Sequence, residues 1–243
     1  MKAVIFAAGK GTRMGDLTRS TPKPLLRVAD TTILGLLLDH LRECGFRDFV
    51  IVIGYLGEHI VRAFGDGARL GCTITYTRQS QVNGTAGAPK AVRAALSDEY
   101  FLVTFSDVVL FPEDYSRLLS MHAPRNDDGL IGVNWTEDPW YGASVVFDDT
   151  MRVSQIIEKP PRGTAPSPWN NTGLFIFSPD IFTYIDQLQP SSRGEYELTA
   201  AMQMMIDAGL NLSACRLQGP VLHFSCPEDL GIAEQIIRER AQA

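Results

Sequence analysis

Residues 3–26 read AVIFAAGKGTRMGDLTRSTPKPLL, and this stretch decides the fold. Its first six residues, Ala3 through Ala8, form an unbroken apolar run, as expected of a strand covered on both faces, and a glycine-rich turn follows at once. Further on, Ile33, Leu36, Leu37, Leu41 and Cys44 recur at helical spacing, and Gly45 stops the pattern where a C-terminal glycine belongs. Residues 49–53 give a second buried strand. Residues 100–105 give another, after a helix expected over residues 86–95.

This alternation of strand, helix and strand predicts an α/β fold, a doubly wound, mostly parallel, Rossmann-like mixed sheet. Ligands of such sheets sit at the carboxyl ends of the strands. The second half is richer in β-structure, with strands expected at residues 130–135, 143–147, 153–157 and 174–177. They are interrupted by residues 160–169, PPRGTAPSPW, whose four prolines and one glycine read as an irregular loop at a pocket rim. Helices are expected again over 179–187, 195–208 and 227–240. The 243 residues therefore suggest a single domain, with residues 1–128 as one functional half and 129–243 as a smaller β-rich lobe.

Lys+Arg number 22 against 28 Asp+Glu, a net charge of −6, and no basic block is present. That argues against nucleic acid or an anionic membrane as a partner. The four cysteines form no CxxC pair, so neither a zinc site nor a disulfide framework is indicated, and a reduced, cytoplasmic setting is expected. The apolar run before Gly9 is too short for a signal peptide or a membrane span.

The turn after the first strand carries the chemistry. Gly9, Gly11, Thr12 and Arg13 place small residues and backbone N–H groups where a chain bends around phosphate oxygens. A Walker loop requires Ser or Thr after Gly-Lys, whereas Gly11 follows Gly9-Lys10; a dinucleotide fingerprint requires glycine at Met14. Both alternatives fail, which sets a nicotinamide oxidoreductase aside. Taken alone, the turn reads equally well as a plain tight turn. Lys23 lies between Pro22 and Pro24, which stiffen the backbone and hold a long cation in place; the competing reading is an ordinary solvated lysine.

With Gly9 to Met14 (GKGTRM) and Thr21 to Leu26 (TPKPLL), the chain resembles the sugar-1-phosphate nucleotidyltransferase family, whose pattern is GxGTR, a short spacer and PKxLL. Five further segments match in order. Gln79 with Gly84-Thr85-Ala86-Gly87-Ala88 resembles the base-reading segment, and Tyr141-Gly142 the sugar-contacting pair. Glu158-Lys159-Pro160 resembles the EKP segment, while Asn171-Thr172-Gly173 and Gly194-Glu195-Tyr196-Glu197-Leu198-Thr199 resemble later pocket segments. The resemblance implies that a sugar phosphate attacks the α-phosphorus of a nucleoside triphosphate in line and pyrophosphate leaves. It implies nucleotide contacts at Ala8, Gly9, Gly11, Thr12, Gln79 and Gly84, with UTP or dTTP favoured, and acceptor contacts at Gly142, Glu158, Lys159, Asn171 and Glu195. Arg13 and Lys23 would be catalytic, Arg13 serving the β- and γ-phosphates and Lys23 the α-phosphate. Little chain follows residue 240, so the extra C-terminal domains of some relatives are not expected, and a homo-oligomer is left open.

Clustered polyphosphates call for a hard cation with oxygen ligands, magnesium first and manganese as the alternative. Asp107 is the expected ligand, with a turn cap as the competing reading. Two departures from the family pattern stand here. Ser106 replaces a glycine, and His223 stands where the family carries an aspartate or asparagine before TPEDL, here Cys226-Pro227-Glu228-Asp229-Leu230. Neutral imidazole suits softer metals than magnesium, so His223 is read either as the second metal position or as a structural histidine. The departures also keep open a nucleotide-sugar-binding or regulatory subunit with impaired catalysis, and a guanylyl- or cytidylyltransferase acting on another phosphorylated acceptor.

Overall fold

The computed structural model describes residues 1–79, 84–86, 92–96, 99–125 and 127–242. A nine-stranded sheet forms its spine. Its strands are β1 (Lys2–Ala7), β4 (Asp48–Ile53), β5 (Thr73–Arg78), β6 (Phe101–Phe105), β8 (Gly129–Trp135), β9 (Ala143–Phe147), β10 (Val153–Glu158), β11 (Trp169–Phe177) and β12 (Leu212–Arg216). The short strands β2 (Arg27–Val28) and β3 (Thr31–Thr32) pair with each other, as do β7 (Val108–Val109) and β13 (Leu222–His223).

β1 lies between β4 and β6, parallel to both, and β5 continues the parallel set beyond β4. On the other side β11 runs antiparallel to β6, β8 and β9, while β12 is parallel to β8 and β10 antiparallel to β9. Only β10 and β11 therefore run against the common direction. The β-rich second half extends the same sheet.

The alternation of side chains along β1 explains why its sequence is apolar throughout. Ala3, Ile5 and Ala7 enter a core with Leu34, Leu37, Leu38 and Leu41, whereas Val4, Phe6 and Ala8 enter the opposite core with Ile181, Phe182, Met202 and Met205. The helix Ile33–Glu43 begins where the Thr32 side chain accepts the Gly35 N–H at 3.1 Å and ends before Gly45, whose φ is 91°.

The expected strands are present, and the later helices occupy Ile181–Ile185, Leu198–Asp207 and Glu228–Ala241. Of the helix expected over 86–95, residues 87–91 lie outside the described residues; Arg93–Ala95 form a 3-10 turn. The structure adds helices Gly57–Phe64 and Pro112–Arg125, and strands β5 and β12, none of which the sequence pattern announced. Among the described residues no helix is long and apolar enough to cross a membrane.

Two glycines shape the carboxyl edge of the sheet. At Gly173 (φ 78°) β11 breaks register, and an added Cβ would lie 2.6 Å from the Phe105 ring. There β11 exchanges β6 for β9 as its neighbour, since Leu174 pairs with Thr104 and Asn170 with Ser144. Just beyond β4, an added Cβ at Gly54 would lie 2.6 Å from the Ala8 carbonyl oxygen, which also accepts the Tyr55 N–H at 3.3 Å. Gly54→Ala is expected to cost about 1–3 kcal/mol through this backbone clash. A urea titration should show a lower midpoint at an unchanged slope.

Candidate active site

β1 delivers the chain to the carboxyl edge of the sheet, where the glycine turn begins. Gly11 adopts a left-handed conformation (φ 64°), and its carbonyl accepts the Met14 N–H at 2.9 Å and the Thr18 hydroxyl at 3.0 Å. A Cβ there would meet Lys23 Cβ at 3.1 Å and Thr18 Cγ2 at 3.2 Å. Glycine is thus required both by the backbone angle and by the approach of Lys23.

Pro22 is extended (φ −64°, ψ 142°), and Lys23–Leu25 make one 3-10 turn. The Lys23 side chain is only 12% exposed; its Nζ donates to Asp107 Oδ2 at 2.6 Å and to the Phe224 carbonyl at 2.8 Å. It is not a solvated lysine. Asp107 follows β6, where the Ser106 N–H donates to the Phe6 carbonyl at 3.0 Å and the Asp107 carbonyl accepts the Phe224 N–H at 3.0 Å.

The C-terminal segment reaches this point through β13, with Leu222 opposite Val109 and His223 opposite Val108. Asp229 Oδ2 accepts the N–H groups of Ser225 at 2.6 Å and Cys226 at 2.9 Å, fixing the turn that carries Phe224. Burial pushes the Asp229 carboxyl up, but the donors at Cys226 and Ser225 outweigh it and hold its pKa below the ordinary value. His223 keeps solvent-exposed surface, yet desolvation lowers its pKa against the opposing pull of Asp107 and Asp229.

A cavity of about 590 Å³ opens beside these groups. Among the residues named from the sequence, Ala8, Gly9, Gly11, Thr12, Arg13, Lys23, Gln79, Gly84, Asp107 and Glu195 line it, together with Ser106, Thr85, Gly194 and Ser225. Gln79 is 9% exposed and its backbone N–H donates to the Ile53 carbonyl at 2.9 Å. Gly84 packs so closely that an added Cβ would lie 2.4 Å from the Tyr196 carbonyl oxygen. That oxygen accepts the Ala86 N–H at 2.9 Å, while the Thr85 hydroxyl accepts the Leu198 N–H at 2.9 Å. Gly87 and Ala88 lie outside the described residues.

Gly142, Glu158, Lys159, Asn171 and His223 are not part of the cavity lining. Gly142 and Lys159 are joined by a 2.9 Å hydrogen bond from the Lys159 N–H to the Gly142 carbonyl, and Lys159 holds a left-handed backbone (φ 43°). An added Cβ at Gly142 would lie 2.8 Å from Asn170 Nδ2. The Asn171 side-chain oxygen accepts the Gly173 N–H at 3.1 Å, bracing the bend of β11.

Glu158 accepts the Thr199 hydroxyl at 3.0 Å and lies 3.5 Å from Arg193, which also reaches Glu197 at 2.9 Å and Glu195 at 3.6 Å. Arg193 thereby connects Glu195 on the cavity wall to Glu158. Sequence reasoning missed it, although it immediately precedes the quoted segment Gly194 to Thr199. Among the described residues no group of three or more His, Cys, Asp or Glu side chains could hold a metal; of the two carboxylates on the cavity wall, Asp107 pairs with Lys23 and Glu195 with Arg193.

Residues 2–239 match the nucleotidyl transferase family. The chain is 35% identical to a UTP–glucose-1-phosphate uridylyltransferase of Haloferax volcanii over 98% of its own length and 97% of that relative's. It is 34% identical to a glucose-1-phosphate thymidylyltransferase of Streptomyces griseus, covering 90% of this chain but 61% of the relative. It is likewise 34% identical to the mannose-1-phosphate guanylyltransferase catalytic subunit beta of Danio rerio, covering 94% of this chain and 62% of the relative. Among solved structures, a UDP-glucose pyrophosphorylase complexed with UDP-glucose superposes with a TM-score of 0.89 at 20% identity, covering 98% of each chain, a likeness of fold.

The turn held by Asp229 makes a pH-dependent contribution to stability. A carboxylate whose folded pKa is depressed stabilises the fold above its unfolded value, and that contribution is lost as pH falls through the folded pKa. Asp229→Ala should cost about 1–2 kcal/mol at neutral pH. In parallel denaturant titrations the gap from the parent should narrow below pH ~4.

Proposed function

The chain belongs to the nucleotidyl transferase family, and from that premise we propose that it joins a nucleoside triphosphate, UTP or dTTP in preference, to a sugar 1-phosphate and releases pyrophosphate. The observation that carries this reading is Lys23, a nearly buried cation fixed 2.6 Å from Asp107 on the wall of a cavity that also contains the Gly9–Gly11 turn, Gln79 and Glu195. The uridylyl- and thymidylyltransferase relatives support the same choice of base.

Phosphoryl chemistry of this kind needs alignment and neutralisation of charge spread over phosphate oxygens. Backbone N–H groups of the turn at Gly9, Gly11 and Thr12, with Ala8, hold the triphosphate. Arg13 serves its β- and γ-phosphates and Lys23 its α-phosphate. Gln79 and Gly84 address the edge of the base. Lys159 receives the incoming phosphate, while Gly142, Glu158, Asn171 and Glu195 arrange the sugar. Glu158 is already oriented by Thr199 and Arg193, which favours a fixed hydroxyl acceptor on this side. The nucleotide half and the acceptor half are residues 1–128 and 129–243, and the docking of Thr85 and Ala86 on residues 196–198 locks the two together.

The donor set fits a hard cation, which takes oxygen ligands: the Asp107 carboxylate stands on the wall of a cavity wide enough for phosphate oxygens. Asp107 would hold magnesium, or manganese, whose chemistry is to bridge and neutralise the phosphates. His223 borders this position. The cytoplasm, where both substrates are available, is the proposed location.

A second reading, a guanylyltransferase, rests on the Danio rerio relative. Incubating the protein with a panel of nucleoside triphosphates and sugar 1-phosphates plus magnesium should release pyrophosphate fastest with UTP or dTTP; preference for GTP would favour the second reading, and silence across the panel would refute both. Arg13→Ala and Lys23→Ala should each lower kcat by about 10²–10³. If His223 stands in the coordination sphere, His223→Asp should lower the magnesium concentration needed for half-maximal rate. An unchanged magnesium titration removes it from that sphere.

A further inference from the structure

The ammonium of Lys23 occupies the same carboxylate that a cation would use. Its Nζ lies 2.6 Å from Asp107 Oδ2 and 2.8 Å from the Phe224 carbonyl oxygen, with the side chain 12% exposed. A short ion pair with a nearly buried ammonium leaves less net charge on the carboxylate for a second positive ion, although the Asp107 side chain is itself 34% exposed. Asp107 cannot readily swing free of it. Its backbone is tied to Phe224 by a 3.0 Å hydrogen bond, and Phe224 belongs to the turn that Asp229 clamps. Lys23 is the mobile member, because its four-carbon stem can redirect the ammonium while Pro22 and Pro24 keep the backbone in place.

We propose that Lys23 and a divalent cation compete for Asp107, so that the cation is admitted together with the triphosphate and not ahead of it. The inference rests on reading the cavity as a triphosphate site. Phosphate oxygens offer Lys23 a new partner of equal charge and at the same time supply oxygen ligands to the cation. Both effects favour the exchange, and linkage makes them reciprocal: whatever draws Lys23 away from Asp107 raises the affinity of Asp107 for the cation. The lysine thus serves as the resident counter-ion of Asp107 and as a phosphate ligand in turn. Serving as counter-ion, it keeps the free site from being occupied by stray metal.

The test is a titration of nucleotide-free protein with Mn²⁺, followed by the loss of the free-ion signal in electron paramagnetic resonance. The parent protein should bind weakly. Lys23→Met should bind about 10–1,000-fold more tightly, the range by which a neighbouring opposite charge shifts a carboxylate equilibrium. Lys23→Arg, which keeps the charge, should remain weak, and adding Asp107→Asn to Lys23→Met should abolish the gain. Lys23→Gln serves as a second neutral variant if the methionine substitution disturbs the fold, as judged by circular dichroism.

Unchanged or weaker Mn²⁺ binding in a folded neutral variant would overturn the competition, as would a gain that survives Asp107→Asn. No nucleotide is present, so these outcomes are separate from the pyrophosphate assay. An inactive protein that shows the lysine-dependent gain defeats the transferase reading alone, and an active one without it defeats the competition alone.

Discussion

One ammonium group joins three distant parts of the chain. Lys23 reaches Asp107 at the end of β6 and the Phe224 carbonyl in the segment before the last helix, contacts that span 84 and 201 residues of sequence. A nearly buried cation left without partners would cost several kcal/mol, so the loop that carries it, the strand end that faces it and the C-terminal turn are obliged to meet. Around this contact the remaining features are supports: the Gly11 backbone that lets Lys23 approach, the Phe6 carbonyl that anchors Ser106, and the Asp229 carboxylate that fixes the turn at Ser225 and Cys226.

The sheet makes this meeting possible because β1 and β6 are parallel neighbours, with Phe6 opposite Phe105. Both strands end at the same edge, and each passes directly into a segment of the site. Across the sheet, β11 breaks register at Gly173 and pairs with β9 at Asn170, and on that side Gly142 meets Lys159 and Glu158 meets Thr199 and Arg193. The surroundings of Glu158 and Lys159 are therefore built from antiparallel strands and those of the Gly9–Gly11 turn from parallel ones, within one continuous sheet.

What was legible in the sequence follows from this construction. The apolar run of β1 could be read because both faces are buried, and the helix Ile33–Glu43 because one face is apolar and both ends carry ordinary stop signals. The helix Gly57–Phe64 escaped because it starts from a left-handed Leu56 with no side-chain cap, and Pro112–Arg125 because Pro124 lies within it. β5 escaped because, beyond Ile74, it is largely uncovered, so only part of its alternation is enforced by a core. At the site, glycines and loop cations were legible as local spacing. The pairing of Lys23 with Asp107 and the place of Arg193 among three glutamates are long-range or three-body facts, which spacing does not encode.

If Lys23 and a divalent cation compete for Asp107, Lys23 must change partner when the site fills. A crystal structure with a non-hydrolysable uridine triphosphate analogue and manganese tests it most directly, because anomalous scattering locates the metal without assumption. The expected result is a manganese peak at Asp107 and the Lys23 ammonium moved onto a phosphate oxygen. Triphosphate seated in the cavity with Lys23 still on Asp107, and manganese bound elsewhere, would contradict it.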